Sequence, residues 1–332
     1  MYTEELLRTK PAILKIFLGL PAAFFWQLVQ QLEEQEPEYK RQRFAHSNRQ
    51  RKVGGGRTCD LSIAIRLALV LTYLRLHVSQ EAVAALYADA TQSDVSRQLR
   101  SLLPALLPLL PSPEIWDSID DAHPLSAADL LELVDLSDGR VIIDATEQPI
   151  YRSELNEIRI IYYSGKKKQF ILKTQIVSDG NHRIVAISVA FPGAVSDKKL
   201  CDTVATVQRL PDECHAAADK ANQGVAQQVE TMATLDSETG AIAQTPRLTF
   251  QTPFKKPKGA ELSAQQEDFN HSLATWRIRI EHCIGWAKNW KILATRFRAA
   301  HSLYTLVMQV VCGLVNAQTH RWQALRTAPS QT

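Results

Sequence analysis

The sequence predicts an α/β protein in two parts, an all-α module followed by a mixed sheet with helices on its faces. Three observations predict it. Across the first 110 residues apolar side chains recur at helical spacing with almost no strict alternation. Prolines at 104, 108, 111 and 113 then punctuate the chain. From Val141 onward, short β-branched runs come first as hairpins and then alternate with helical segments. The expected boundaries are 1–110 for the helical module, 111–138 for an acidic linker and 139–325 for the sheet domain.

The 332 residues allow one large domain or two of ordinary size. With 45% apolar and 22% charged residues, the composition excludes a disordered chain and a multispanning membrane protein. Cys59, Cys201, Cys214, Cys283 and Cys312 are scattered, without a C-x-x-C pair. That argues against a disulfide scaffold, a structural zinc site and an oxidising compartment, and a cytoplasmic location is expected. Ile16 to Trp26 imitates a signal-peptide core, but Glu4 and Glu5 spoil the basic region before it and Lys15 limits the run. Pro21 instead opens a helix carrying Phe24, Phe25, Leu28 and Leu32 at core spacing, and no membrane is expected.

The net charge of +3 names no partner, so the distribution has to. Between Glu38 and Asp60 stand Lys40, Arg41, Arg43, Arg49, Arg51, Lys52 and Arg57 with no acid among them. Such a run repels itself unless solvated or neutralised by a polyanion. From Glu114 to Glu147 there are ten acids and one base, Arg140, so the two stretches cannot serve the same partner.

Leu61 to Leu76 reads as a buried helix ending near His77. Ser79 caps a short helix, Gln80 to Ala88, Asp89-Ala90 breaks it, and Thr91 caps a longer helix to about Leu103. Two helices joined by a short turn form a helix-turn-helix candidate whose second helix presents Gln92, Ser93, Asp94, Ser96, Arg97 and Arg100 to bases and phosphates. The same letters describe any helical hairpin with a polar face. The basic run containing Arg49, Arg51 and Lys52 tips the reading toward DNA.

Strands are expected at Val141–Asp144, Ile158–Tyr163, Phe170–Val177 and Arg183–Val189, the last after an Asp179-Gly180-Asn181 turn. A helix from Ser196 to about Leu210, a strand at Cys214–Ala218, a helix from Val225 to Leu235 and a strand near Leu248–Thr252 follow. The chain closes with a long helix from Ser263 to Trp290 and a last one from Leu303 to Trp322.

Asp144 and Asp219 each stand directly after an apolar strand run. Carboxylates ending adjacent central strands converge where α/β sheets bind ligands, although either acid alone equally serves to end a strand. On the long helix, Ser263-x-x-Gln266 is a capping box, and Phe269, Leu273, Trp276, Ile280, Ile284 and Ala287 form the core stripe. Arg277, Glu281 and Lys288 share a neighbouring face, because four residues turn about 40° past one full turn and seven fall about 20° short of two. Taken alone, this is an ordinary solvated Arg-Glu pair.

The ordered set Ile143-Asp-Ala-Thr146, Tyr162-Tyr-Ser-Gly-Lys-Lys-Lys168, Leu172-Lys-Thr-Gln-Ile176, Pro192-Gly-Ala-Val-Ser-Asp197, Ala218-Asp-Lys220, Thr252-Pro-Phe-Lys-Lys-Pro257 and Arg279-Ile-Glu281 resembles the DDE-superfamily transposases of the insertion-sequence-five and Harbinger type. The resemblance implies a ribonuclease-H-like mixed five-stranded sheet with Asp144, Asp219 and Glu281 as catalytic, metal-holding carboxylates. It implies Asp197, Arg277 and Lys288 as supporting residues around them, and Ala274 and Ala221-Asn222 depart from the family's Tyr and Gly-Tyr. Two Mg²⁺ or Mn²⁺ ions about 3.5–4 Å apart suit phosphodiester chemistry, and hard oxygen ligands select them. Without metal, three neighbouring carboxylates repel one another and become harder to ionise. Lys166, Lys167, Lys168, Lys255 and Lys256 beside these acids read as phosphate contacts, with Trp286 and Trp290 as core.

The expected protein is thus an insertion-sequence transposase in a bacterial nucleoid, a homodimer acting on terminal inverted repeats and target DNA. Two alternatives stand beside it: a nuclease without strand transfer, and a DNA-binding protein that keeps the fold without catalysis.

Overall fold

The computed structural model describes residues 1–43, 60–117, 139–235 and 242–327. Arg49, Arg51, Lys52, Cys59 and most of the acidic linker lie outside the described residues. The chain divides into two compact units.

The first unit gathers Met1–Ser112 with two later segments, Lys288–Thr295 and Leu306–Gln318. Its helices are α1 (Glu4–Thr9), α2 (Pro11–Phe17), α3 (Ala22–Arg43), α4 (Ile63–Leu76), α5 (Gln80–Leu86) and α6 (Gln92–Leu106). Every residue of α4 from Ile63 to Leu74 is buried, so Arg66 inside it needs partners and finds Gln98 Oε1 at 2.9 Å and Glu36. The caps form where the sequence sets them: Ser79 accepts from the Ala82 amide at 3.1 Å, and Thr91 and Asp94 make a reciprocal capping box. Leu18, Leu20, Phe24 and Phe25 are core residues, and no single described helix is long and apolar enough to cross a membrane.

The two late segments depart from the expected 1–110 and 139–325 division. Val307, Met308, Val310, Val311, Cys312, Leu314 and Val315 are all buried. A helix apolar on every side must be enclosed by other elements rather than laid on one sheet face. Hydrogen bonds fix it there: Asn316 Nδ2 donates to the Pro111 carbonyl and Gln318 Nε2 to that of Gly19, both at 2.9 Å.

The second unit comprises Pro113–Ala287 and Arg296–Thr305, with the chain end. Its strands are β1 (Glu114–Trp116), β2 (Arg140–Pro149), β3 (Tyr163–Ser164), β4 (Gln169–Asp179), β5 (Ile184–Ser188), β6 (Phe191–Pro192), β7 (His215–Ala218), β8 (Thr231–Leu235), β9 (Ile242–Pro246) and β10 (Thr249–Gln251). Its helices are α7 (Asn156–Tyr162), α8 (Asp197–Thr203), α9 (Thr206–Arg209) and α10 (Ala264–Lys288), after which α11 (Tyr304–Thr327) returns to the first unit. The main sheet runs β1-β5-β4-β2-β7-β10, with β3 and β6 paired to β4, and β8 and β9 form a separate ribbon. β4 is antiparallel to β2 and β5, whereas β7 is parallel to β2 and β10. One core packs Val141, Ile143, Val177, Ala216 and Ala218 of the sheet against Leu200, Cys201, Val204 and Val207 of α8 and α9.

The mixed sheet agrees with expectation, but it is wider than five strands because β1, within the expected linker, adds an edge beside β5. Of residues 158–163, expected as a strand, 158–162 lie in α7, with Ile160 and Ile161 exposed, and only Tyr163 is extended, opening β3. A short apolar run does not distinguish strand from helix by periodicity, and β4 already pairs with β3 and β6 there. Residues 225–235, expected as a helix, make one 3₁₀ turn at Ala226–Gln228 and then β8, where Thr231 and Thr234 favour extended backbone. The expected helix 196–210 is broken at Ala205, whose φ of 50° is left-handed.

Gly193 packs closely against β4. A Cβ there would press on the Ile171 side chain and stand 2.7 Å from the Tyr162 carbonyl oxygen. Gly193→Ala is expected to cost about 1–3 kcal/mol, the usual range for overpacking. Chemical denaturation checks this, and an unchanged midpoint would show that the loop yields freely.

Candidate active site

The site begins with strand register. β2 and β7 run parallel with Ile143 opposite Ala218 as their last pair, and the next residue on each is an aspartate. Neighbouring strands lie about 4.8 Å apart and side chains in register leave the sheet on one side. Asp144, midway along β2 and opposite Ile176 of β4, and Asp219, one residue past β7, therefore leave the sheet on the same side where β7 stops.

Their surroundings differ. Asp144 is half-buried, and its Oδ1 accepts the Ala145 backbone N–H at 2.8 Å. Burial pushes its carboxyl above the usual range; the Ala145 amide and the Arg277 guanidinium oppose this, while the charges of Asp219 and Asp197 add to it. Like-charge repulsion is thus present, as the sequence suggests, but desolvation leads. Asp219 accepts the Asn222 amide on its backbone oxygen at 2.9 Å, leaving its carboxylate to Arg277, whose Nη1 stands 3.4 Å from Oδ1.

Asp197 opens α8 and is held by Lys173 of β4, whose Nζ lies 2.9 Å from its Oδ1, 2.8 Å from the Val195 carbonyl and 3.9 Å from Glu147 Oε1. Lys173 was not among the expected site residues. Its signal is a lysine within the strand run Phe170 to Val177, which is buried from Ile171 on, where only a paired ammonium survives burial.

α10 begins as expected, with the Ser263 amide donating to Gln266 Oε1 at 3.0 Å and the Gln266 amide to Ser263 Oγ at 3.2 Å. Leu273, Ile280 and Ala287 bury its core stripe, and Arg277 reaches the aspartates beside it. Glu281 is exposed, and among the described residues it makes no ion pair and no group of three or more His, Cys, Asp or Glu side chains is placed to hold a metal ion. The structure therefore unites Asp144, Asp219 and Arg277, with Asp197 close enough to act on Asp144, and leaves Glu281 outside. Lys288 ends the helix and belongs to the first unit.

On α6, Gln92, Ser93, Arg97 and Arg100 are exposed and Ser96 is half-buried; Arg97 pairs with Asp94 at 2.8 Å and Arg100 with Ser96 at 2.8 Å. Lys166, Lys167 and Lys168 are exposed between β3 and β4, and Lys255 and Lys256 are exposed after β10, Lys256 pairing with Glu261 at 2.6 Å. Trp290 is core as expected. Trp286 is not: it is 37% exposed beside His182 and His282, because it lies off the buried stripe of α10.

The donor chemistry fits a hard divalent cation. Two carboxylates stand together, and carboxylate oxygens are the ligands that such a cation prefers. A third carboxylate would have to come from Glu281 or Asp197.

A mixed sheet whose central parallel strands deliver paired aspartates, faced by a helix bearing Arg277 and Glu281, defines a nuclease-type α/β domain. The chain belongs to the DDE superfamily endonuclease family, which matches residues 143–316. It is also 28% identical over 176 residues to the probable transposase for insertion sequence element IS702 of Microchaete diplosiphon. The match takes in 53% of this chain and 56% of that protein, so the chain spans little more than half the length of the relative.

Because Asp144 has a raised pKa, its folded form holds a proton more tightly than the unfolded chain does. Its contribution to stability is complete below the ordinary carboxyl value of 3.8 and is lost as pH rises through the folded value. Asp144→Asn is accordingly expected to raise the melting temperature of the metal-free protein at pH 7, with the gain shrinking as pH falls toward 4. A lowered melting temperature at pH 7 would contradict that assignment.

Proposed function

We propose that this chain is an insertion-sequence transposase that cuts DNA at the element's ends and joins the freed 3′-hydroxyl to target DNA. The observation that carries the reading is the register of β2 and β7, which sets Asp144 and Asp219 side by side. Membership of the DDE superfamily endonucleases and similarity to an insertion-sequence transposase support it. The strand arrangement, with β4 and β5 antiparallel to β2 on one side and β7 and β10 parallel to it on the other, supports a ribonuclease-H-like catalytic domain.

Asp144, Asp219 and Glu281 would hold Mg²⁺ or Mn²⁺, two ions in the full reaction. When bound, such ions activate the attacking oxygen and stabilise the leaving one. The chain's residues do the rest. Asp144, within the paired length of β2, and Asp219, just past β7, present acceptor oxygens from a rigid sheet, Lys173 fixes Asp197 beside them, and Arg277 offers a planar fork suited to phosphate. Lys166–Lys168, Lys255 and Lys256 supply exposed positive charge to the DNA backbone, with Arg49, Arg51 and Lys52 in the same role. α5 and α6 act as the helix-turn-helix, with Gln92, Ser93, Ser96, Arg97 and Arg100 toward the terminal repeats. Two element ends must be joined, so the working form is a homodimer on DNA.

Two observations favour the binding-only alternative: Glu281 joins no metal-holding group among the described residues, and Ala274 replaces the family's tyrosine one turn before Arg277. A Mg²⁺-dependent nicking assay on DNA carrying the element's ends separates the readings. Asp144→Asn, Asp219→Asn and Glu281→Gln are each expected to lower nicking by about 100-fold or more, a loss comparable to that from mispositioning a reacting group. Wild type as inert as the three variants would leave only DNA binding. Cleaved ends that never join to target DNA would leave a nuclease.

The binding face has its own check. Arg97→Ala and Arg100→Ala are expected to weaken DNA binding and each to reduce the slope of log affinity against log salt by about 1 if it contacts a phosphate. Slopes identical to wild type would remove α6 from the DNA interface.

A further inference from the structure

We infer that Arg277 is a latch on the aspartate pair, holding the place of a divalent cation until a DNA phosphate draws the guanidinium away and Glu281 completes the ligand set. The inference rests on the function proposed above and adds its regulation: the site loads metal when DNA is present.

Four observations lead to it. Arg277 is the cation that pairs with Asp219, and its charge also acts on Asp144, so one guanidinium serves both carboxylates. The side chain is only 13% exposed, and this is therefore a held position on the edge of the core rather than a loose surface contact. The hold is nonetheless poor. Nη1 stands 3.4 Å from Asp219 Oδ1, near the outer limit of a hydrogen bond, and the buried Nε has no acceptor. A phosphate offers two oxygens in the geometry the guanidinium fork matches, so Arg277 gains by exchanging Asp219 for DNA.

The fourth observation concerns Glu281. It lies one helical turn beyond Arg277 on the same face, exposed and without an ion pair among the described residues. Side chains on a helix lean toward its N-terminus, which directs Glu281 back over the turn that Arg277 occupies. When the guanidinium leaves, that carboxylate has room to enter. The exchange conserves charge, because two carboxylates with one guanidinium carry the same net charge as three carboxylates with one divalent cation. An arrangement with no three-ligand group among the described residues is then the latched form of the site, and DNA and metal tighten each other's binding by the same factor.

The test is Mn²⁺ binding to the full chain without DNA, read from the electron paramagnetic resonance signal of the free ion. Arg277→Gln is expected to tighten Mn²⁺ binding about fivefold or more, the lower end of ordinary coupling between sites. Arg277→Lys, which keeps a charge in place, is expected to stay near wild type. Glu281→Gln should change little on its own yet remove most of the gain when combined with Arg277→Gln, a dependence that a merely structural arginine would not produce. Arg277→Met keeps the buried stem and takes the place of Arg277→Gln if thermal melting shows the latter unfolded.

Mn²⁺ affinity unchanged or weakened by removing the Arg277 charge overturns the latch. The controls separate this from failure of the underlying function. If Asp144→Asn and Asp219→Asn abolish Mn²⁺ binding while Arg277→Gln leaves it as in wild type, the metal site stands and the latch falls. If neither aspartate variant affects Mn²⁺ binding, the metal site falls and the latch with it.

Discussion

The parallel pairing of Ile143 with Ala218 is the constraint on which the second unit depends. Val141, Ile142 and Ile143 are buried, as are Ala216, Ala217 and Ala218, so both strands are enclosed on both faces. A slip of one residue would drive Asp144 or Asp219 into the sheet interior and move an apolar residue to the open end. The alanines of β7 also have a steric role. Small side chains there make room for Leu200, Val204 and Val207 of α8 and α9, while β4 covers the other side of β2. The placement of the acids thus follows from packing that contains no acid.

What register brings together, electrostatics works against. Asp144 loses solvation within β2 and faces the charges of Asp219 and Asp197 as well. The fold answers with one cation on each flank. Lys173 rises from β4 to bind Asp197 and the Val195 carbonyl, and Arg277 descends from α10 to Asp219. The two answers differ in quality. Lys173 has short contacts to both an oxyanion and a carbonyl, whereas Arg277 makes one long contact and leaves Nε without an acceptor. Lys173 therefore belongs to the frame of the site, and Arg277 to the part that can change partners.

Much of this was legible in the sequence, for identifiable reasons. Asp144 and Asp219 show because a carboxylate directly after a β-branched or all-alanine run contradicts the burial that precedes it. The caps at Ser79, Thr91 and Ser263 show because they are local chemistry, settled within four residues. α7 and β8 were misread because short segments of mixed character are decided by the neighbours that await them, which no local window contains. The return of residues 306–318 to the helical unit is a long-range fact of the same kind, although the all-round apolar surface of that helix carried a hint of it.

Helical arithmetic put Arg277 and Glu281 on one face but was silent on which of them meets the aspartates. The deciding quantities are charge and reach. In a site already holding two carboxylates and no cation, a third carboxylate adds repulsion and a guanidinium removes it, so of two neighbouring side chains the positive one is drawn in and the negative one stays in water. A divalent cation between the aspartates, as proposed, would reverse that preference. The exposed carboxylate and the largely enclosed arginine are therefore two sides of one balance.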